Sequence, residues 1–350
     1  MNRLIAHLNH KPESRVRVAA LTQGTFVPST RFRVEQHIDN LALHGVEINH
    51  IPAKFGAYPP VGMLRRIEWL PRALADSTLR SLQANDADLC LLQRELISTL
   101  YTAERIIRKP IVLDVDDAVF LHKRGRSIDE ISKRASLIIC GNTFLAEHFS
   151  KFGTVEVLPT AVDASRFVPM TIPRERPVIG WSGTSSGFKY LESIQEPLRI
   201  VLQRFPDAVL SIVADRPPAL TSIPEEQLIF TRWSPANEVQ VLQSFSVGIM
   251  PLNDTPWSRG KCSFKMLTYM AVGVPVVASP VGMNREVLAL GDCGLSATNT
   301  DDWVDVLVAL LRDRDRSTRM GMTGRRIVES HYSREVITPR LANLLLGISK

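Results

Sequence analysis

The stretch "SRGKCSFKMLTYMAVGVPVVASPVG", residues 258–282, carries three cations, Arg259, Lys261 and Lys265, and no acid stands between Asp254 and Glu286. Phe264, Leu267 and Ala271 recur at helical spacing with Met270 beside them, so a helix is expected to start at Ser263, which is suited to cap it. Lys265 then lies in the first turn, where the helix dipole is already positive and a second positive charge is unfavourable unless an anion offsets both. Free N–H groups and clustered cations make a site for a polyanion such as a diphosphate. Solvated surface charge is the plain alternative and carries about equal weight on pattern alone. A second group is acidic. "LDVDDAVF" places Asp114, Asp116 and Asp117 at the end of an apolar run, where oxygen ligands could hold Mg²⁺ or Mn²⁺, face a substrate hydroxyl, or cap the following turn. A third group is mixed: "LLQREL" offers Gln93, Arg94 and Glu95, and "TQGTFVPSTRFRV" offers Gly24, Ser29, Thr30, Arg31 and Arg33. The last is not G-x-G-x-x-G, which argues against a dinucleotide, but a phosphate or an acceptor could rest there.

These groups need a scaffold that brings them to one edge. Short apolar runs alternate with helical patterns along the chain. "VRVAALTQG", "VEINHIP", "ADLCLLQ", "PIVLDVDD", "SLIICGN" and "VEVLPT" read as strands, each closing on polar residues, and "RFRVEQHIDNLALHG" reads as a helix ending at Gly45. After "RFVPMTIPRERP" (166–177), rich in proline and charge, the pattern restarts with "VIGWSG", "AVLSIVAD", "LIFTRW", "VGIMPL" and "PVVASPVG". Alternating strands and helices predict an α/β fold with parallel sheets, and 350 residues suit two domains. Ligands bind such sheets beyond the carboxyl ends of their strands. A last helical region, roughly 302–350, contains Pro339, which is expected to kink or break it. Residues 52–74 mix Lys54, Arg65, Arg66 and Arg72 with Phe55, Tyr58 and Trp69. They suit the acceptor side or an anionic lipid surface, and equally a helix packed on its own domain, with packing slightly favoured.

Composition bounds the rest. The formal net charge is +6, with 45% hydrophobic and 22% charged residues, an ordinary globular balance that suits an anionic ligand, a membrane surface or nucleic acid without choosing among them. No basic stripe with interleaved aromatics supports nucleic acid. The four cysteines, Cys90, Cys140, Cys262 and Cys293, lack metal or disulfide spacing, and Cys90 and Cys140 look like buried strand residues. The histidines form no H-E-x-x-H or H-x₃-H pair, His148 reads as structural, and there is no G-x-S-x-G elbow. No apolar run is long enough to span a bilayer, and "MNRLIAHLNHKPESR" has no signal-peptide segment. A cytoplasmic protein is expected, with peripheral contact at the inner face of the membrane left open.

"TYMAVGVPVVASPVG" resembles the "EAMA-x-G-x-PVVA" segment of the family 4 GT-B glycosyltransferases. "VLPTAVDASRFVP" resembles their interdomain stretch, "VIGWSG" the opening of their second domain and "RIVESHYS" their closing helix, while "PSTRFRV", "LDVDDAVF" and "ICGNTFLAEHF" look like a bacterial branch. The resemblance implies two Rossmann-like domains facing across a cleft: an acceptor domain over 1–165, a linker over 166–177, a nucleotide-sugar domain over 178–335, and a helix over 336–350 packing back on the first domain. It implies transfer, with retention, from a nucleoside-diphosphate sugar to a hydroxyl of a glycan, lipid-linked or small-molecule acceptor, in bacterial glycan or glycoconjugate synthesis. No metal and no further cofactor are expected. On this resemblance Gly183, Ser185, Arg259, Lys261, Ser263, Lys265, Thr268, Gly282, Met283 and Asn284 bind the donor. Gly24, Ser29, Thr30, Arg31, Arg33, Arg94, Glu95 and Asn142 line the acceptor side, and Asp116, Asp117, Lys261 and Lys265 serve catalysis. The family's two glutamates fall here on Gly260 and Thr268, and the arginine and lysine that follow its second-domain opening strand have no clear match in "GWSGTSSGFK", so the cations at 259, 261 and 265 are expected to replace that grip. A sugar-nucleotide epimerase or hydrolase on the same fold, and a non-catalytic sugar-nucleotide- or glycan-binding protein, are the alternatives.

Overall fold

The structure, a computed structural model, describes residues 15–25, 27–170 and 175–349. The opening segment read for targeting, Phe26 of the first turn and part of the proline-rich stretch lie outside the described residues. Two compact units divide the chain, one formed by residues 1–161 with 334–350 and the other by 162–333.

In the first unit, six strands form one parallel sheet: β1 (Val16–Thr22), β2 (Val46–Pro52), β3 (Leu89–Gln93), β4 (Ile111–Val115), β5 (Leu137–Cys140) and β6 (Val155–Val157), in the order β2-β1-β3-β4-β5-β6. β3, β4 and β5 are buried along their whole length, which is why they read as continuous apolar runs rather than as alternation. Cys90 and Cys140 are among these buried residues. The second unit repeats the plan with β7 (Val178–Ser182), β8 (Val209–Ala214), β9 (Leu228–Arg232), β10 (Val247–Met250), β11 (Val276–Ala278) and β12 (Gly294–Ser296), in the order β12-β11-β10-β7-β8-β9. The expected fold class, two Rossmann-like domains, is what the chain adopts. β12, three residues beginning with glycine, is an edge strand that the apolar runs did not announce.

Three helices differ from expectation. The tail breaks at Asp313, runs on from Ile327 through a π-helical turn, Val328–Tyr332, and breaks again at Ser333, giving helices Thr300–Arg312, Arg314–Ile327 and Arg334–Ile348. Asp313 caps the second through the Arg316 N–H at 2.8 Å. Pro339 sits inside the last helix, which it does not break. That helix adds Ile337, Leu341, Ala342 and Leu345 to the core of the first unit beside Leu41, Val46 and Leu158. In the stretch expected to be a linker, Phe167 is fully buried, and the Arg325 guanidinium donates to the Phe167 carbonyl and, at 2.9 Å, to that of Ala164. Helix Met63–Gln83 buries only small or polar residues, Ala73, Asp76, Ser77, Arg80 and Ser81, while from Met63 to Arg72 every residue but Trp69 is exposed. Its second half packs on the first unit, where Arg80 donates to the Thr22 and Ile51 carbonyls at 2.6 and 3.1 Å, and its first half does not.

Candidate functional site

In parallel sheets the crevice forms where the strand order reverses, outside the carboxyl ends of the two central strands. In the second unit that point lies between β7 and β10. The turn after β7 supplies Gly183 and Ser185; the connection after β10 supplies Arg259, Lys261 and Lys265.

Lys265 stands in the first turn of helix Phe264–Ala271 and places its ammonium 4.3 Å from the centre of the buried Trp181 ring. A Cβ on Gly183 would fall 2.6 Å from Lys265 Nζ and 2.8 Å from that ring, so the glycine is what lets the lysine reach the turn. Among the described residues the ammonium has no carboxylate and no hydrogen-bond partner, only the aromatic face. Burial, and then the charge of Lys261, lower its pKa to about 7. The helix is fixed by Tyr269, whose buried hydroxyl accepts the Ser182 N–H at 2.8 Å across the switch point. Its ring fills the space left by Gly248, where a Cβ would approach to 2.4 Å.

The other expected donor residues divide by what they touch. Arg259 is exposed and bound to Asp254 at 2.6 Å, so its charge is shared. Lys261 lies 5.4 Å from the Trp257 ring centre. Ser263 does not cap the helix: with φ +50° it turns its hydroxyl to Asn284 Oδ1 at 2.7 Å, and Asn284 Nδ2 donates to the Ser279 carbonyl at 3.0 Å. Ser263 and Asn284 thus tie two connecting loops together. Thr268 donates its hydroxyl to the Lys265 carbonyl at 2.8 Å, a bond inside its own helix. Gly282, at φ +53°, has no room for a Cβ beside the Arg259 backbone, and Met283 is buried. Ser185 binds Asp215 twice, through its N–H at 2.6 Å and its hydroxyl at 2.8 Å. Burial works to raise the Asp215 pKa, but these bonds outweigh it and hold the carboxylate below its ordinary value. Asp215, Trp181 and Tyr269 escaped the sequence reading. Asp215 follows β8 directly, and its place after "VLSIVA" was the available signal.

In the first unit the switch point lies between β1 and β3. Ser29 follows β1 and Arg94 follows β3. Arg94, at φ +55°, is buried, and its guanidinium holds four groups: Asp116 at 2.7 Å, Asp117 at 3.0 Å, Ser29 Oγ at 3.2 Å and the Tyr58 hydroxyl at 3.1 Å. Ser29 also donates to Asp116. Burial opposes ionisation of Asp116, yet Arg94, Arg33 and Ser29 prevail and keep its pKa low. Asp114 is separate: Arg33 grips it through Nε at 2.8 Å and donates onward to the Leu158 carbonyl and Thr160 Oγ1 at 3.0 and 3.2 Å. Arg33 is therefore a core crosslink rather than a ligand-facing residue. With each aspartate held by a guanidinium, the Asp-x-Asp-Asp run is built unlike a metal site; among the described residues no group of three metal-type ligands occurs. Thr30 is buried on Gln93 Oε1 at 3.0 Å, Glu95 accepts from Ser127 at 2.8 Å, and Asn142 caps helix Thr143–Phe149 through the Leu145 N–H at 2.9 Å. These three hold local structure. Gly24, at φ +129°, turns the chain after β1, and Arg31 lies over the Phe32 ring at 4.6 Å. His148, expected to be structural, stacks on Phe120 at 3.5 Å.

Residues 176–313 match the family model described as Glycosyl transferases group 1. The chain is 29% identical over 229 residues, 58% of its own length, to a GDP-mannose-dependent alpha-(1-6)-phosphatidylinositol monomannoside mannosyltransferase of Mycolicibacterium smegmatis. It is 26% identical over 195 residues, 47% of its length, to a D-inositol 3-phosphate glycosyltransferase of Corynebacterium urealyticum. It spans 59% and 45%, respectively, of the lengths of these curated relatives. Among solved structures, sucrose-phosphate synthase from Thermosynechococcus elongatus superposes with TM-score 0.73 at 14% identity, covering 95% of this chain and 99% of that one. Anabaena Alr3699/HepE in complex with UDP superposes with TM-score 0.69 at 15% identity, covering 95% and 100%.

Proposed function

We propose that this chain, which has the GT-B fold and matches the group 1 glycosyl transferases family model over residues 176–313, moves a sugar from a nucleoside-diphosphate sugar to an acceptor hydroxyl. The observation that carries the reading is Lys265: a half-buried ammonium with no counter-ion among the described residues, held by an aromatic ring at a switch point and near a helix N-terminus. An anion bound here would offset both the ammonium and the positive end of the helix dipole. In the transfer, the bond from the anomeric carbon to the diphosphate breaks and a bond to the acceptor oxygen forms. The proton of the acceptor hydroxyl passes to a diphosphate oxygen, so no strong protein base is required. Negative charge grows on the leaving diphosphate, and Lys265, Lys261 and the N–H groups of the helix start, fixed beforehand, stabilise it. Gly183 keeps the approach open and Ser185, locked by Asp215, shapes the turn.

On the acceptor side, the Arg94 cluster supplies a fixed pair of carboxylates. Asp117 is the more exposed of the two and accepts from a neighbouring, non-reacting hydroxyl of the acceptor, while Asp116 orients Arg94. Retention of anomeric configuration, a bacterial glycan or lipid-linked acceptor, and use of the sugar nucleotide without a metal belong to the same proposal. The names of the relatives, GDP-mannose and UDP among them, define which donors to try first. Thr268 in place of a family glutamate favours one second reading, a binding protein without turnover, because its hydroxyl is already bonded within its helix.

Thermal-shift screening with GDP-, UDP-, dTDP- and ADP-sugars tests donor binding. A ligand at a hundredfold excess over Kd stabilises by about 2.7 kcal/mol. One donor class is expected to raise the melting temperature and to be consumed only when a hydroxyl acceptor is added. Consumption without acceptor would identify a hydrolase or epimerase, stabilisation without any turnover a binding protein, and no stabilisation by any sugar nucleotide would overturn the proposal.

A further inference from the structure

Helix Met63–Gln83 is inverted. Its inward face is small and polar, and its large apolar side chains point to solvent: Met63, Leu64, Ile67, Leu70 and Leu74 form one outward stripe, with Leu64 79% and Ile67 60% exposed. Of the seventeen exposed large apolar residues among the described residues, ten lie between Phe55 and Leu82, so the apolar surface is concentrated here rather than scattered. The preceding loop is fastened to the helix. Trp69 Nε1 donates to the Phe55 carbonyl at 2.8 Å and Arg66 to the Pro60 carbonyl at 2.9 Å, so Phe55, Tyr58 and Val61 are presented beside the stripe.

Charge identifies the occupant. Residues 54–74 contain Lys54, Arg65, Arg66 and Arg72 against one acid, Glu68, a local excess of +3. Two such faces would repel one another, which disfavours a second copy of the chain. An exposed apolar stripe on a segment of net positive charge fits a surface that is negative outside and hydrocarbon beneath. We propose that this face docks on a bilayer containing anionic phospholipid, with Leu64 and Ile67 inserted at the headgroup boundary and the net positive charge of the segment drawing it to the lipid phosphates. Docking stands independently of sugar transfer. If transfer also holds, the face is well placed for a lipid-borne acceptor, because Tyr58, part of the docking loop, is hydrogen-bonded to Arg94.

The experiment is co-sedimentation of the purified full chain with vesicles of phosphatidylcholine alone and of phosphatidylcholine mixed with phosphatidylglycerol. Expected is binding to the mixed vesicles only, weakening as salt rises. Leu64→Glu with Ile67→Glu should reduce partition more than tenfold, and Arg65→Ser with Arg72→Ser by about 25-fold, at about fivefold per cation. The altered side chains are exposed, so melting temperatures should match the parent. Three results would overturn the proposal: no binding to either vesicle, binding that the variants leave intact, or a dimer in sedimentation velocity that Leu64→Glu with Ile67→Glu dissociates, which would assign the face to self-association.

Discussion

Lys265 should titrate near neutrality, and that gives it two readouts besides activity. Its pKa in the folded chain is about 7 against an ordinary 10.5, so between these values the unfolded chain holds a proton that the folded chain lacks. Stability conferred at this position therefore rises with pH from 7 to 10.5 and is lowest when the ammonium is charged. Lys265→Met retains the apolar stem, so the parent's melting temperature should climb relative to that variant's as pH increases through this window. A bound diphosphate favours the charged form, so donor binding at pH 8 should take up a proton. Calorimetric titration in two buffers of different ionisation enthalpy measures that uptake; equal uptake in Lys265→Met would exclude the lysine as its source. In turnover, Lys265→Met should lower kcat by about 10²-fold, roughly 3 kcal/mol, as loss of one fixed donor to a developing anion does. The cluster itself was legible, because acid-free cations beside a helix start are a local signal. Its supports were not. Trp181 lies eighty-four positions from Lys265 and Asp215 thirty from Ser185, and strand order rather than sequence proximity makes them neighbours.

At the scale of elements, legibility followed burial. β3, β4 and β8 are buried on both faces and read directly as apolar runs. β12 did not, because three residues beginning with glycine make no run. Pro339 does not break its helix because a proline in the sixth position removes one backbone bond, a cost that the packing of Ile337, Leu341 and Leu345 outweighs. Helix contact in the second unit rests on glycines no periodicity reveals. A Cβ on Gly321 would fall 2.0 Å from the Gly273 carbonyl oxygen, and one on Gly324 would meet Met270 at 3.0 Å. Helix Arg314–Ile327 can therefore lie close against helix Phe264–Ala271 and steady the segment that carries Lys265. Gly321→Ala should force the helices apart and destabilise the protein by about 1–3 kcal/mol, visible in urea denaturation. An unchanged midpoint would mean that the contact is slack.

For the molecule as a whole, the two-sheet plan was readable because each half repeats the alternation of strand and helix, but the path of the chain matters as much as the plan. The first unit contains the last described helix, Arg334–Ile348, whose buried side chains complete a core begun by residues 18–161. Leu341→Ala should lower stability by about 2–5 kcal/mol, and removal of residues 334–350 should abolish cooperative unfolding of the first unit in calorimetry while residues 162–333 retain a transition. Retention of both transitions would show that the helix is an accessory.

That return path sets the order of assembly during synthesis. Domains ordinarily fold in the order in which they leave the ribosome. Here the strands that emerge first must wait, their hydrophobic surface still uncovered near Leu41 and Val46, until the entire second unit has been translated and the closing helix arrives. The second unit, contiguous in sequence, can finish first. A chain truncated after Ser333 and released from the ribosome is thus expected to hold a protease-resistant 162–333 and an N-terminal portion that chaperones still recognise.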